Sequence, residues 1–187
     1  MKTLAVITLT VLFLTSAATI FAQDTNTDSH DISISIPELA LLDLEGGPSV
    51  SLSPALPTEA GDAFDFSGAT DNSTWVNYSS IVASGTARRV TAAITAGAVP
   101  AGLALKVTAG SYSGSGKGAL GASAGQITLS STAQDVVTGI GSSYTGNGVS
   151  NGHNLAYALE LTSADDYDQL VQTNATVTIT YTLTDAE

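Results

Sequence analysis

A glycine-rich tract, residues 110–125, contains the residue types that most suggest chemistry. Gly116, Gly118 and Gly121 match G-x-G-x-x-G, the fingerprint of a loop that holds a pyrophosphate at a helix N-terminus. That fingerprint needs a helix after the glycines, but here the strand-like sequence QITLS follows. Lys117 is followed by glycine, not by the serine or threonine of a Walker loop. We therefore predict no nucleotide site.

The same tract also offers a serine nucleophile. Ser123 lies in G-x-S-x-G, and Asp135 and His153 follow it in the chain order of an α/β-hydrolase triad. Such a serine needs a strand–turn–helix elbow on a mostly parallel sheet, and the surrounding sequence is not of that kind. We therefore predict no catalytic residue and interpret the tract as a small-residue loop between two strands.

Histidines and clustered acids are the candidate metal ligands. His30 and His153 have no cysteine and no second histidine at helical spacing, so we interpret both as lone surface histidines. Asp165, Asp166 and Asp168 offer oxygen ligands for calcium but lack the D-x-D-x-D-G order of a known calcium loop. We predict no metal ligands and no cofactor, with calcium binding at these aspartates as a weaker alternative.

Aromatic residues offer a second kind of site, because their rings stack on sugars. Trp75 and Tyr78 lie together in STWVNYSS, and Tyr112 and Tyr144 lie further along the chain. A single tryptophan in a strand is more often part of the core, which is the interpretation we favour for Trp75. Trp75 and Tyr78 are the ligand-binding candidates if the protein recognises carbohydrate.

The elements that must position these residues are strands. Apolar and polar residues alternate at every second position in several segments, which is typical of strands with one buried face in an antiparallel sheet. Between them lie turn sequences rich in Gly, Asn and Pro. We therefore predict an all-β fold, an antiparallel β-sandwich of Ig-like or Greek-key type with about nine or ten strands. The predicted strands are 31–36, 39–44, 49–52, 74–81, 89–96, 103–108, 126–129, 135–138, 154–161 and 175–185, with one helical turn near 163–171 capped by Ser163.

The N-terminus predicts export. Lys2, an apolar run over residues 4–14 and small residues up to Ala22 form the three parts of a secretory signal peptide, residues 1–22. The apolar run is shorter than the roughly 20 residues that a membrane-spanning helix needs, so no membrane span is expected. We expect residues 23–187 to form one domain, secreted to the extracellular space, the cell surface or the periplasm. The chain has no cysteine, which argues against a small disulfide scaffold.

Charge restricts the partners of the exported chain. Without Lys2, four basic residues oppose 17 acidic residues, which leaves a formal net charge of −13. Such a surface repels phosphate backbones, so we exclude nucleic acid as a partner.

The layout of the exported chain suggests a partner of its own kind. It opens with Ile32, Ile34 and Ile36 on one face of DISISI and closes on the long alternating segment 175–185. This layout resembles that of bacterial surface-fibre subunits of the pilin and spore-coat-like β-sandwich families. The resemblance implies that the N-terminal segment adds a strand to a neighbouring subunit and fills pockets there with its isoleucines. The chain departs from chaperone–usher subunits because it lacks their cysteine pair.

Two interpretations of DISISI stay open at this point. It is either such a donor strand or the first strand of its own domain, ended by Pro37. We expect a secreted, non-enzymatic structural or interaction protein of the bacterial cell surface, with another copy of itself as partner. The alternative is a carbohydrate-binding module that uses Trp75 or Tyr78 on a surface glycan.

Overall fold

The computed structural model describes residues 26–186. The chain divides into two units, Met1–Ser35 and Ile36–Glu187. In the first unit, residues 26–35 are exposed and have no helix or strand. The predicted signal peptide, residues 1–22, lies outside the described residues. The second unit begins at Ile36.

Nine strands form the second unit as far as the structure describes it, and all of their pairings are antiparallel. The all-β prediction is therefore confirmed. The predicted strand at 49–52 is absent from the described fold, as is the one at 31–36. The strands are β1 (Leu39–Glu45), β2 (Thr70–Ile81), β3 (Arg88–Ala96), β4 (Leu103–Ser113), β5 (Lys117–Ser123), β6 (Gln126–Thr128), β7 (Gln134–Tyr144), β8 (Gly152–Leu161) and β9 (Thr178–Asp185), with a 3-10 helix at Ala164–Gln169.

Strand β2 connects two groups of strands, which we call arms, into one nine-stranded sheet. Its first part pairs with β8, and its end pairs with β7 through Ser79 and Ser80. One arm is thus β6-β4-β8-β2 with β1 on the far side of β2, and the other arm is β5-β7-β3-β9. This pairing is compatible with a two-layered sandwich.

Both arms contribute side chains to a single hydrophobic core. Alternation along β4 illustrates the cause: Leu105, Val107 and Ala109 are buried, and the residues between them are less so. The hydroxyl oxygens of Tyr157 on β8 and Tyr181 on β9 lie 2.8 Å apart inside this core. Burial raises the pKa of both phenols, so both stay neutral in the fold. The core residues are Val76, Tyr78, Val90, Ala92, Leu105, Val107, Ala109, Leu129, Val136, Val137, Ile140, Leu155, Tyr157 and Tyr181.

The glycine tract is a strand, which corrects its interpretation as a loop. Residues 110–113 are the end of β4, and Lys117–Ser123 form β5, which pairs along β7. A Cβ atom on Gly116 would lie 2.0 Å from the carbonyl oxygen of Tyr144, and one on Gly118 would lie 2.2 Å from that of Ser142. The glycines are therefore required because two backbones approach too closely for any side chain.

The start of β1 is fixed by Arg88, whose side chain is only 7% exposed. Its Nη1 donates to the carbonyl oxygen of Leu39, and to that of Ile81 over 3.1 Å. Its Nε donates to Asp185 Oδ1 over 3.0 Å at the end of β9. One buried guanidinium therefore ties the first and last strands to the β2–β3 connection.

Candidate functional site

The segment 31–36 exposes an apolar face that no strand of the described structure covers. Ile32, Ile34 and Ile36 are 75%, 83% and 76% exposed, and serines separate them. Residues 31–36 have no strand assignment, so the first strand of the domain is β1 and not DISISI. Such large aliphatic side chains at alternate positions are what a strand buries when it adds to a sheet.

Strand β1 also carries exposed apolar side chains. Leu41 is 60% exposed, and Leu39 and Leu44 are also exposed, although Leu42 packs against the core. Several exposed large aliphatic residues on one short strand suggest an interaction site more than a single exposed residue does.

A groove of about 330 Å³ runs along the outer face of β2, which we call the β2 groove. Its floor is Asn77 and Ser79, one wall is β1 and the other is the end of β7 with the residues after it. The strand register builds it, because Leu41 and Tyr144 both pair with Ser79 from opposite sides. Its lining residues are Leu41, Leu42, Asp43, Asn77, Tyr78, Ser79, Tyr144, Gly146 and Asn147.

Asn77 is a polar residue on the floor of the groove, and one of its side-chain atoms lacks a hydrogen-bond partner in the described structure. Its side chain is buried, and its Nδ2 donates to the carbonyl oxygen of Gly148 over 3.1 Å. Its Oδ1 has no hydrogen-bond partner in the described structure. A buried acceptor left unpaired is destabilising by about 1–3 kcal/mol.

The two aromatic candidates for ligand binding occupy different environments. Tyr78 is in the core, 3% exposed, and its hydroxyl donates to the carbonyl oxygen of Leu120. Its ring is therefore not on the surface for stacking. Trp75 is half-buried on the face of β2 opposite the core, two residues before Asn77 of the groove floor. The core position that we expected for Trp75 is therefore not observed. Tyr144 is 51% exposed and is the aromatic that lines the groove.

His153 is fully buried, which corrects its interpretation as a surface histidine. Its Nδ1 is 2.9 Å from the carbonyl oxygen of Gly110, and its Nε2 is 3.0 Å from the hydroxyl of Tyr78. The ring of Tyr112 packs edge-on against it. Its hydrogen bonds therefore join β8 to β2 and β4 inside the domain.

The triad suggested by chain order is not assembled. Asp135 pairs with Arg89, with a distance of 3.5 Å between Oδ1 and Nε. The hydroxyl of Ser123 accepts from the backbone of Gly125 over 3.1 Å. Since His153 bonds elsewhere, these groups do not form a nucleophile–base pair.

The acidic cluster forms the predicted helical turn. Ser163 caps it, with its Oγ accepting from the backbone N–H of Asp165. Within residues 26–186, no group of three or more His, Asp or Glu side chains is arranged to hold a metal ion. Over the same residues, no helix is long and apolar enough to cross a membrane.

The residues of the β2 groove were not identified from the sequence as one site. They come from three segments that only the strand register brings together, and among them only Tyr78 and Tyr144 had been considered as ligand-binding aromatics. Comparison of the chain with protein-family models, with curated proteins and with solved structures finds no match.

Proposed function

We propose that this protein is a secreted, non-enzymatic structural subunit of the bacterial cell surface that assembles by β-strand complementation. In this proposal residues 31–36 of one copy add as a strand to another copy. The observation that carries it is the exposure of Ile32, Ile34 and Ile36, at least 75% each, on an alternating segment without a strand partner. Export is supported by the signal-peptide sequence of residues 1–22.

The energetics favour such an addition. Burying an aliphatic side chain of this size yields about 1.5–3 kcal/mol, so three isoleucines supply a substantial driving force. Their segment also has backbone donors and acceptors that a sheet edge satisfies. The described sheet ends at β6 and β9, and β1 and β5 are bordered by one partner each. Edges of this kind are the usual sites of strand addition.

The test separates the two faces of the segment. Ile34→Asp places a charge on the apolar face, and Ser35→Asp places the same charge one residue away on the other face. We expect Ile34→Asp to remain monomeric under conditions in which the wild-type chain and Ser35→Asp form fibres. Light scattering and electron microscopy of the exported chain give the readout, with circular dichroism to verify the fold.

Deleting residues 23–37 is the complementary experiment, because the first strand, β1, begins at Leu39 and stays intact. We expect a folded monomer that does not form fibres. Ordered fibres from the deleted chain, or from Ile34→Asp, would contradict the proposed function.

A further inference from the structure

We propose that the β2 groove of one copy receives the isoleucine side chains of residues 32–36 of a second copy. This inference rests on the proposed function and adds a site for the isoleucine side chains. Because the backbone of β2 is already paired with β1 and β7 at Ser79, the segment docks on the face of β2 by its side chains and not as a further strand beside β2. The proposed contact brings together the exposed isoleucines and the groove. Both belong to the same chain, so any preparation contains equal numbers of the two.

The groove suits branched apolar side chains in character. Leu41 and Tyr144 are both more than half exposed, and they face each other across Ser79. Leu42 adds further apolar lining. Covering these side chains with isoleucine removes apolar surface of both copies from water at once.

The groove also suits an extended segment in spacing. Asn77 and Ser79 are two residues apart on β2, as are successive isoleucines of the donor segment. Side chains on one face of an extended chain repeat about every 6.6–6.8 Å in both cases. An extended donor that lies along β2 therefore presents its isoleucines at the repeat of the groove floor.

Asn77 supplies the polar part of the recognition. Asn77 lines the groove, and its Oδ1 is buried without a hydrogen-bond partner in the described structure. Residues 31–36 have no strand assignment, so their backbone N–H groups have no ladder partner in the described structure. One such donor satisfies the Asn77 oxygen and fixes the donor segment along the groove.

A sugar is the other occupant for this mixture of aromatic and polar lining. The observations favour the peptide segment, because the exposed lining is dominated by Leu41 and Tyr144 and the matching apolar face is on the same chain. Sugar binding is therefore an outcome of the test.

Cysteine cross-linking is decisive because the chain has no cysteine of its own. Copies with Ile34→Cys are mixed with copies carrying Ser79→Cys or Asn147→Cys, and the mixture is oxidised. A disulfide needs Cα atoms about 4.4–6.8 Å apart, so we expect a disulfide-linked heterodimer from these pairs.

Matched positions control for chance encounters. Ser35→Cys places the thiol on the opposite face of the donor, and Thr182→Cys places the acceptor thiol on the exposed face of β9. We expect several-fold less heterodimer from either substitution. Linkage at Thr182 in preference to Ser79 and Asn147 would assign the donor to the β9 edge and overturn the inference.

A complementation experiment distinguishes failure of the groove from failure of the proposed function. Asn147→Trp fills the groove from an exposed wall position, and Ile34→Asp disables the donor. Each variant alone should stay monomeric, and their mixture should give heterodimers that do not extend. Fibres from Asn147→Trp but none from Ile34→Asp would overturn the groove and leave the proposed function standing. Fibres from Ile34→Asp would overturn both.

A glycan array tests whether the groove binds a saccharide instead. Binding that is lost in Tyr144→Ala, with an intact fold and no cysteine linkage at the groove, would assign the groove to a saccharide and overturn the inference. Absence of glycan binding together with linkage at Ser79 or Asn147 would support it.

Discussion

At the scale of single residues, buried polar groups hold the arms together where apolar contact alone would not fix their register. Arg88 bonds to backbone carbonyls of two segments, and His153 contacts a carbonyl of β4 and the hydroxyl of Tyr78. Tyr157 and Tyr181 join the arms by their hydroxyls. Each group bonds to a residue distant in sequence, so its replacement would weaken the attachment of two strands at once.

The adjacent arginines provide a matched pair for testing this. Arg88→Met removes donors from two backbone carbonyls, and we expect the free energy of unfolding to fall by about 2–4 kcal/mol. Arg89→Met removes only a partly exposed ion pair with Asp135, and we expect a loss below about 1 kcal/mol. Urea unfolding of both variants measures the difference. Equal losses would show that Arg88 does not anchor the start of β1.

The buried tyrosines predict loss of stability in alkali. Burial raises the folded-state pKa of Tyr157 and Tyr181, so above about pH 10 the unfolded chain releases protons that the folded chain retains. Stability is thus full below that pH and falls as the pH rises, by up to about 1.4 kcal/mol per pH unit for each tyrosine. Tyr181→Phe should make this slope shallower. Ile179→Val, its neighbour in β9, should lower stability and leave the slope unchanged in urea titrations from pH 8 to 12.

At the scale of elements, alternation predicted most strands because each carries its own evidence of a buried face. Strands β3, β8 and β9 were found within three residues of their predicted bounds, whereas β4 extends five residues beyond its predicted end. β5 was missed, because its glycines and small residues show no alternation of large apolar and polar side chains. DISISI was predicted as a strand from its alternation, but residues 31–36 pair with no strand of the described structure. Burial of His153 escaped prediction because its contacts on β2 and β4 are distant in sequence.

Glycine in β5 should be required for packing and not only for backbone conformation. Gly118 has φ +100° and no room for a Cβ, whereas Gly125 has φ +94° with nothing within 4 Å. Gly125→Ala should therefore lose only the cost of a positive φ, about 1–2 kcal/mol. Gly118→Ala should lose about 1–3 kcal/mol more, because β5 has to move away from β7. Similar losses in urea unfolding would show that β5 separates from β7 without penalty.

At the scale of the whole molecule, assembly has to overcome the electrostatic repulsion between acidic copies of the chain. The chain carries a formal net charge of −12, and every copy repels every other. Asp31 begins the donor segment, and Asp43 lies in the wall of the β2 groove. The proposed contact therefore brings like charges together while it buries isoleucine.

Assembly should accelerate with salt, because screening removes this repulsion and leaves the apolar gain almost unchanged. The Debye length falls from about 30 Å at 0.01 M to about 8 Å at 0.15 M ionic strength, so fibre half-times measured by light scattering should shorten over that range. Asp43→Asn and Asp62→Asn remove the same charge, but only Asp43 lines the groove. Asp43→Asn should therefore accelerate assembly at low salt several-fold more than Asp62→Asn does. Equal acceleration would mean that net charge alone sets the barrier, and slower assembly in salt would mean that opposite charges, not isoleucines in an apolar groove, hold the copies together.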